Sequence, residues 1–584
     1  MTNPQHRERG IAQAGQAGLI AALVMLAVQL IWRLAESGNG VVQAFPEFLV
    51  AAISRLTPLS VFGTATESYG SLAKKSLFVA VLIGIIAVGY AGGIAAGQLT
   101  RRTGQDGRGR LLAGGLVAAV LLLFTLVVVM PIAHLGLFAT ESSYTSEILF
   151  QLIVTFAVFA ATWALIAAPA PAPAVTVAGG EQIDRRDVLG RTAWAIGTLA
   201  SIAAVGGLTW RLLHPRPSTP SRTLPGAVTA EDETVKDIVA TQRAQQGYTT
   251  SSSTPTPVSE ASTREVAELQ TDSATAAADP FALFNTLEAD GDLTPVLTSV
   301  DDFYHVSKNI FDPTVKAEGW TLTVTGQVEK DLKLTYDEVV KRATTKKITT
   351  LSCISNELNG NLISTAEWTG FPLHDLLMEA GIKENAVDIK LHCADDYEES
   401  FPVAAGLDPD TLVVVGMNGK PLRDDHGFPA RIIVPGIYGM KNVKWLEKIE
   451  VIDNDYKGYW ETRGWSDSAI PQIWGRIDNP SGGEGVKAGQ FVAAGMAAAG
   501  DRGISRVEVS LDDGETWADA TLEPSLNPPF TWVRWAYTFN ATDGKHNMRI
   551  RATDGKGEVA TKIERPPLPD GATGWPERTV NVSK

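Results

Sequence analysis

The stretch Lys347-Ile-Thr-Thr-Leu-Ser-Cys353-Ile-Ser-Asn-Glu-Leu-Asn-Gly360 decides how this sequence is interpreted. Its first six residues have the β-branched content and alternation of a half-buried strand, and polar and small residues follow Cys353. The cysteine therefore stands where a predicted strand ends in a loop, a position suited to a metal ligand. A single cysteine is more often a small buried hydrophobe, so this stretch alone leaves both interpretations open.

Further strings follow Cys353 along the chain, and each combines turn residues with an apolar run. They lie at Ala366–Leu373, Tyr397–Pro402, Met417–Leu422 and His426–Trp445. In the last string, Arg431 leads at once into the apolar residues Ile432–Val434. Because an unpaired charge is costly to bury, an arginine that enters a core strand favours pairing with an anion.

In this order the strings resemble the sulfite oxidase family of molybdopterin enzymes, most closely its membrane-linked bacterial members without a fused haem domain. The resemblance covers approximately Val296 to the C-terminus. It implies that Cys353 is the thiolate ligand of a molybdenum–molybdopterin cofactor (Mo-MPT), in keeping with the affinity of thiolates for soft, redox-active metals. It also implies that Tyr397 stands beside the substrate face of the metal, where it hydrogen-bonds the transferable oxygen or relays a proton.

The same resemblance implies a set of residues that bind the cofactor. The phosphate of the cofactor is an anion, to which arginine offers two parallel hydrogen bonds and lysine a point charge. Besides Cys353, the implied cofactor-binding residues are Tyr304, His305, His426, Arg431, Lys441, Asn442 and Lys444. Cys393 is expected to be a buried structural thiol, because a disulfide with Cys353 would remove the metal ligand.

The predicted substrate pocket departs from the family pattern. The resemblance implies arginines around a bound anion, one near the start of the domain and one shortly after the ligand cysteine. This chain has Lys308 at the first place and Asn356-Glu357 near the second. Glu357 is an acid where sulfite would need a positive charge. The candidate pocket residues are therefore Lys308, Asn356 and Arg463, and the substrate stays open between sulfite, another small oxyanion and a sulfoxide-like molecule.

The N-terminal part of the chain has the composition of a membrane domain. Of the 584 residues, the first two hundred or so are apolar and carry few acids, whereas the net charge of -15 resides mainly in the rest. Five stretches approach the length of about 20 apolar residues that a helix needs to cross a bilayer. They are Ile11–Trp32, Leu77–Ala96, Leu111–Ile132, Ile148–Ala168 and Thr192–Leu213.

Loop charges predict the orientation of these spans. The loop Thr100–Arg110 is rich in arginine and should face the cytoplasm, whereas Glu141–Glu147 has no basic residue. This predicts a protein of the cytoplasmic membrane with its N-terminus in the cytoplasm and its C-terminal domain outside. Arg185-Arg186 resembles a twin-arginine export signal, although two ordinary cytoplasmic arginines explain it equally well. The spans are nearly free of ionisable residues, and His134 has no partner for a bis-His haem, so an anchor is favoured over a transporter.

The predicted fold class is α+β with a helical anchor and a β-sandwich. The domains are expected at residues 1–213 for five transmembrane helices, 214–295 for a flexible linker rich in Pro, Ser and Thr, 296–474 for the molybdopterin domain and 475–584 for an immunoglobulin-like sandwich. The last domain resembles the dimerisation domain of the family. A homodimer is thus implied, but a bulky anchor could leave the protein monomeric.

These features together predict a molybdenum oxidoreductase that carries out two-electron oxygen-atom transfer. The sequence has no haem, iron–sulfur or flavin motif, so the electrons are expected to pass to a separate partner such as a cytochrome or a quinone. Membrane lipid is an expected partner, whereas an acidic soluble part excludes nucleic acid. The alternatives are sulfite oxidation proper and a non-catalytic membrane binding module on the same fold.

Overall fold

The computed structural model describes residues 4–35, 44–57, 71–133, 135–140, 145–167, 235–248, 279–309, 312–481 and 485–584. The chain divides into two compact units. The first comprises residues 1–218 and 307–316, and the second comprises residues 219–306 and 317–584.

The described residues of the first unit are almost entirely helical. The helices are α1 Pro4–Ala35, α2 Phe45–Leu56, α3 Ser71–Thr103, α4 Gly107–Phe124 and α5 Thr145–Ile166. A π-helical turn, Thr125–Val129, and Met130–Ile132 prolong α4. Four of the helices are long and apolar enough to cross a membrane, and they coincide with the first four predicted spans; α2 is an additional short apolar helix. The fifth predicted span, Thr192–Leu213, lies outside the described residues, as do His134 and Arg185-Arg186.

Small residues allow α1 and α3 to approach each other closely. A Cβ atom on Gly93 of α3 would lie 2.4 Å from the carbonyl oxygen of Ala14 and 2.6 Å from the Cα of Gly18, so only glycine fits there. Close backbone approach of this kind is typical of helix packing in membranes. Large apolar side chains also cover the outside of this unit: Leu165 of α5 is 77% exposed. The unit is therefore apolar both inside and outside, as a lipid-facing helical bundle requires.

Two helices lie in the segment that was predicted as a flexible linker. They are α6 Val235–Gln245 and α7 Ala282–Asp290. Ile238 packs in a buried cluster with Ile348 and Leu526, and Phe284 packs with Ala536. These two parts of the linker are thus docked rather than extended, because they carry apolar side chains that the low-complexity residues between them lack; residues 249–278 lie outside the described residues.

A buried ion network joins the same helices to the C-terminal domain. Nη2 of Arg243 lies 2.8 Å from Oε1 of Glu523, which also accepts a bond of 2.7 Å from Nη2 of Arg534. Arg534 donates a second bond to Glu523 and pairs with Glu288 of α7. A double hydrogen bond between an arginine and a carboxylate is geometrically demanding. This network therefore holds α6 and α7 at defined positions.

The central part of the second unit contains one mixed sheet and one antiparallel sheet. One has the order β2-β1-β10-β5-β6, and the other has the order β3-β4-β7-β8 with β9 also paired to β7. The strands are β1 Thr321–Gly326, β2 Leu332–Thr335, β3 Thr345–Ser352, β4 Ile363–Pro372, β5 Asp388–Cys393, β6 Glu398–Pro402, β7 Leu412–Met417, β8 Lys420–Pro421, β9 Arg431–Ile433 and β10 Leu446–Ile452. Three helices accompany them: α8 Tyr336–Arg342, α9 Leu373–Ala380 and α10 Val403–Gly406. The connection from β9 to β10 passes from one sheet to the other, and it carries three of the predicted site residues, Lys441, Asn442 and Lys444.

The C-terminal residues form two further sheets around one core. Their orders are β11-β13-β17-β16 and β12-β19-β18-β14-β15. The strands are β11 Trp474–Asn479, β12 Gly485–Lys487, β13 Gly489–Ala498, β14 Ile504–Ser510, β15 Ala518–Asp519, β16 Thr521–Leu522, β17 Val533–Ala541, β18 Gly544–Asp554 and β19 Glu577–Ser583. Trp535 of one sheet and Ile550 of the other share the same buried cluster. Two sheets over one core agree with the predicted sandwich, while its immunoglobulin-like topology stays a prediction.

Candidate active site

Cys353 directly follows β3 and lies in a tight polar loop. Its N–H donates to the carbonyl of Leu362 over 2.9 Å, and its own carbonyl accepts a bond of 3.0 Å from the N–H of Asn356. The Sγ atom lies 3.0 Å from Oγ of Ser355. Both cysteines are thiols rather than members of a disulfide; Cys353 is half-buried, whereas Cys393 is buried. The Cys353 thiol thus lies among polar groups rather than in an apolar core.

Asn356 stabilises this loop through its Oδ1 atom, and its Nδ2 donor is unused among the described residues. Its Oδ1 accepts a bond of 2.9 Å from the N–H of Leu362, which fixes the orientation of the amide. The side chain is buried, and Nδ2 has no hydrogen-bond partner among the described residues. A buried amide N–H without a partner costs free energy. Asn356 therefore offers a donor beside the cysteine.

Tyr304 lies between the cysteine strand and the β9–β10 connection. Its N–H donates to Oγ of Ser364 over 3.0 Å. A Cβ atom on Gly439 would come 2.4 Å from the Tyr304 hydroxyl and 3.3 Å from the carbonyl of Ser352. Glycine at this position therefore lets the connection approach both the tyrosine and the end of β3. The neighbouring His305 is exposed.

Arg431 is a buried cation that has no acidic partner among the described residues. It is 5% exposed, and its Nη1 and Nη2 donate to the carbonyls of His426 and Asn442 over 3.2 and 3.1 Å. The guanidinium lies 4.9 Å from the centre of the Trp368 ring. Nε, however, has no partner within the described chain. Arg431 thus presents both an uncompensated charge and an unused donor.

His426 and Lys444 lie beside Arg431 and are fixed by backbone carbonyls. Nε2 of His426 donates to the carbonyl of Val300 over 3.0 Å, so this ring nitrogen carries the proton. Nζ of Lys444 donates to the carbonyl of Asp425 over 3.0 Å. The structure therefore brings together His426, Arg431 and Lys444.

The side chains of Lys441 and Asn442 point to other partners. Nζ of Lys441 lies 2.6 Å from Oε1 of Glu461 and 2.9 Å from Oε1 of Glu399. Oδ1 of Asn442 accepts a bond of 2.7 Å from the N–H of Val434, and its Nδ2 donates to the carbonyl of Tyr438. Lys441 is thus neutralised by acids, and Asn442 holds the backbone that carries Arg431.

Tyr397 lies on the opposite side of the Gly439–Lys441 turn. Its half-buried hydroxyl is 2.9 Å from the carbonyl of Met440 and 3.0 Å from Oε2 of Glu399. Met440 packs against Ile354, the residue after the cysteine. Met440 therefore contacts both the Tyr397 hydroxyl, through its carbonyl, and the residue after Cys353, through the buried cluster.

The two predicted basic pocket residues have different surroundings. Arg463 is half-buried and lies with its guanidinium 3.5 Å from the centre of the Tyr459 ring, and among the described residues no acid forms an ion pair with it. Lys308 belongs to the first unit, where its Nζ donates to Oδ1 of Asn309 over 3.3 Å. Arg463 is therefore the basic pocket candidate within the unit that holds Cys353.

Burial and charge shift the proton affinities of the site residues. Burial raises the pKa of Tyr304; a negative charge at Cys353 adds to this rise, and Arg431 opposes it. Burial lowers the pKa of Arg431 to about 10 and that of His426 to about 4. Because charges at both Cys353 and Arg431 influence the pKa of Tyr304, the thiol and the guanidinium share one electrostatic environment.

Comparisons with known proteins address the same part of the chain. Residues 309–460 match the family described as oxidoreductase molybdopterin binding domain, and residues 476–564 match the Mo-co oxidoreductase dimerisation domain. The chain is 30% identical over 269 residues to mitochondrial sulfite oxidase of Rattus norvegicus and 31% identical over 273 residues to sulfite oxidase of Gallus gallus. The part of the chain that these matches cover belongs to the sulfite oxidase family.

The extent of this sulfite oxidase similarity is limited. The two alignments cover 38% and 39% of this chain and 49% and 60% of the relatives. A nitrate reductase [NAD(P)H] of Hordeum vulgare is 28% identical over 331 residues, which is 46% of this chain and 37% of that protein. The chain thus spans about half the length of the curated sulfite oxidases it matches.

Membership in the sulfite oxidase family implies the Mo-MPT cofactor, and the observed residues fit it. The phosphate needs cationic donors, and Arg431 supplies a buried charge with an unused Nε–H. The metal needs a thiolate, and Cys353 supplies a half-buried thiol in a polar loop. The donor set of this chain therefore suits the cofactor of the family.

Sequence reasoning missed the acidic residues of this sulfite oxidase domain. Glu399 and Glu461 enclose Lys441, and Gly458 lies against both carboxylates. Glu399 alternates with the half-buried Glu398 along β6 and so faces inward. That alternation is the one local signal that could have revealed it. Glu461 carries no such signal.

Proposed function

We propose that this chain is a membrane-anchored molybdenum oxidoreductase that transfers an oxygen atom between water and a small oxyanion or sulfoxide-like substrate. The observation that carries the proposal is the buried Arg431, which lacks an acidic partner within the described chain and shares the environment of the Cys353 thiol. A buried cation of this kind calls for an anionic ligand. The anionic cofactor of the family fulfils that requirement.

In this proposal, residues on the β9–β10 connection and the β3 loop divide the work. Arg431, His426 and Lys444 hold the phosphate end of the cofactor, and Tyr304, with His305 beside it, contacts the pterin. Asn442 positions the backbone around Arg431, and Lys441 fixes the turn that faces Cys353. When bound, the cofactor supplies the two-electron redox chemistry of the metal, for which Cys353 provides a thiolate. Tyr397 hydrogen-bonds or protonates the transferable oxygen.

Arg463 and Asn356 support an oxygen-rich substrate. The guanidinium of Arg463 is half-buried, and the charges of Tyr459 and Tyr397 influence its pKa, so it lies on the same side as Tyr397. The unused Nδ2 of Asn356 is a second donor near the cysteine. Both groups suit an S–O or N–O oxygen. The relatives are named as sulfite oxidases and a nitrate reductase, so sulfite and nitrate are the first oxyanions to test.

The surroundings of the enzyme are part of the proposal. Four apolar helices support an anchor in the cytoplasmic membrane. With the fifth predicted span, Thr192–Leu213, as a further crossing, the N-terminus lies in the cytoplasm and the second unit outside. Electrons are exchanged with a separate partner, such as a cytochrome or a quinone in the same membrane. The match to a dimerisation domain supports a homodimer.

Metal analysis of the full-length chain in detergent tests this function. We expect about one molybdenum and one pterin per chain and turnover of an oxyanion or sulfoxide with an artificial dye. Cys353→Ser should lose turnover, whereas Cys393→Ala, which changes the buried thiol on β5, should keep both metal and turnover. A wild-type protein without molybdenum, or an active Cys353→Ser variant, would contradict the proposal.

A further inference from the structure

A buried cluster of one lysine and two glutamates lies behind Tyr397. Nζ of Lys441 is 2.9 Å from Glu399 and 2.6 Å from Glu461, and it is 3.4 Å from the half-exposed Asp467. The side chains of Lys441 and Glu461 are 3% exposed, and that of Glu399 is 0% exposed. Charges this deeply buried are costly unless they are balanced.

The buried charges of this cluster do not balance without an additional proton. One ammonium faces two buried carboxylates, so the fully ionised cluster would carry a net negative charge in the interior. Oε2 of Glu461 has no hydrogen-bond partner among the described residues. Gly458 closes the space next to it, because a Cβ atom there would lie 2.6 Å from Oε1 of Glu399 and 2.8 Å from Oε2 of Glu461. A proton is a ligand small enough for such a closed space.

The hydrogen bonds of Tyr397 indicate which carboxylate holds this proton. The Tyr397 hydroxyl has one proton but lies next to two acceptors, the carbonyl of Met440 at 2.9 Å and Oε2 of Glu399 at 3.0 Å. A carbonyl can only accept. A proton on Oε2 of Glu399, donated to the tyrosine oxygen, makes both contacts full hydrogen bonds at the same time, whereas an ionised Glu399 leaves the two acceptors to share the single hydroxyl proton. Oε1 of Glu399 already accepts bonds from Lys441 and from the N–H of Ser400.

We propose that Glu399 stores one proton and exchanges it with the substrate pocket through the hydroxyl of Tyr397 during turnover. This inference rests on the proposed function. Oxidation of a substrate S with water gives SO, two protons and two electrons; the electrons pass to the separate acceptor, Glu399 takes one of the protons, and the other passes to solvent water. Reduction of SO reverses each transfer. Glu399 acts through Tyr397 and is therefore a positioning residue rather than a catalytic one.

The electrostatics of the cluster agree with this role. Burial raises the pKa of Glu399 to about 8; the charge of Lys441 opposes the rise, and that of Glu461 adds to it. Burial opposes the charge of Lys441, but Glu399 and Glu461 more than offset this effect and raise its pKa. The remaining titratable or charged groups that face the cluster are Cys393, Tyr397, Tyr456, Lys457, Arg463 and Asp467.

The test is the dependence of kcat on pH for Glu399→Gln, measured with the full-length holoenzyme in detergent and a dye as electron partner. Wild-type kcat should rise as the pH passes about 8 in the oxidative direction and fall there in the reductive direction, because Glu399 must first accept or first donate the proton. Glutamine keeps the shape but cannot titrate. We expect kcat to fall by roughly 100-fold, with a flat profile and little change in KM. Glu379→Gln, at an exposed ion pair with Arg342, is the matched control and should retain the wild-type profile.

Two results would overturn this inference and leave the proposed function standing. The first is a Glu399→Gln enzyme that contains molybdenum and keeps the wild-type pH profile. The second result applies if Glu399→Gln does not fold. Tyr397→Phe leaves the Lys441 ion pairs in place, and an unchanged dependence of kcat on pH in this variant would refute the proton exchange through Tyr397. Loss of the pH-dependent limb in Tyr397→Phe would support it. A wild-type protein without molybdenum would refute the proposed function itself.

Discussion

Replacement of Arg431 by methionine should have opposite consequences for the empty and the loaded protein. Burial lowers the pKa of Arg431 from 12.5 to about 10. Since one pKa unit corresponds to about 1.4 kcal/mol, the buried charge costs the empty site roughly 3 kcal/mol. Methionine removes this cost but leaves the carbonyls of His426 and Asn442 without these donors, at about 1 kcal/mol each. The free energy of unfolding of the cofactor-free protein should therefore stay within about 1 kcal/mol of wild type.

The loaded protein should respond differently, because the phosphate loses its cation. A hydrogen bond to a charged group contributes about 1.5–3 kcal/mol, which corresponds to a roughly ten- to hundredfold weaker retention of the cofactor. Molybdenum and pterin per chain, measured after purification and extended dialysis, report this loss. Unfolding of cofactor-free protein in detergent, followed as a function of urea, reports the stability.

Arg534→Met provides the contrast, because this buried arginine is paired with Glu523 and Glu288. Breaking such a buried pair costs about 3–5 kcal/mol, and the variant should keep its cofactor when folded. If Arg431→Met destabilised the empty protein as strongly as Arg534→Met, or retained wild-type molybdenum, the argument that Arg431 awaits an anion would be wrong.

Two further predictions concern the anchor and His426. Gly93→Leu should disrupt the packing of α1 on α3 and lower the apparent melting temperature in detergent, because overpacking costs about 1–3 kcal/mol or more. Gly84→Leu on the same helix is the control and should not lower the melting temperature, because nothing lies within 4 Å of the added Cβ. Equal effects of the two substitutions would contradict the packing argument. Burial lowers the pKa of His426 to about 4, so the unfolded chain binds a proton more readily and stability should fall as the pH drops from about 6.5 towards 4. Urea unfolding of the cofactor-free protein over this pH range should show a weaker dependence of the free energy of unfolding on pH for His426→Asn than for wild type. The same dependence in both proteins would refute the lowered pKa of His426.

Much of the local structure could be predicted because it depends on neighbouring residues. The strand before Cys353 is found as predicted, since its alternation is a local property, and a capping box likewise defines the start of α8 locally. The box is visible in the contacts: the N–H of Thr335 donates to Oε2 of Glu338 over 2.8 Å. The lengths of the apolar runs predicted five spans, and four of these are helices long and apolar enough to cross a membrane in the described part of the chain.

The linker shows where local patterns were insufficient. Low-complexity composition predicted a flexible segment, yet Arg243 of α6 lies 2.8 Å from Glu523 of the C-terminal domain. Nothing near Arg243 in the sequence identifies that partner. Docking depends on surfaces contributed by distant parts of the chain, and these exist only once the sandwich has folded.

By itself, the sequence determined the kinds of chemistry available: a lone thiol at a strand end, an arginine entering a core strand and four apolar spans. The tertiary structure alone decided which charges meet. It placed Lys441 between Glu399 and Glu461 and left Arg431 without an acidic partner among the described residues. The physical reason is that a charge-pairing energy depends on distance and burial, and strand order and register set both between residues far apart in sequence.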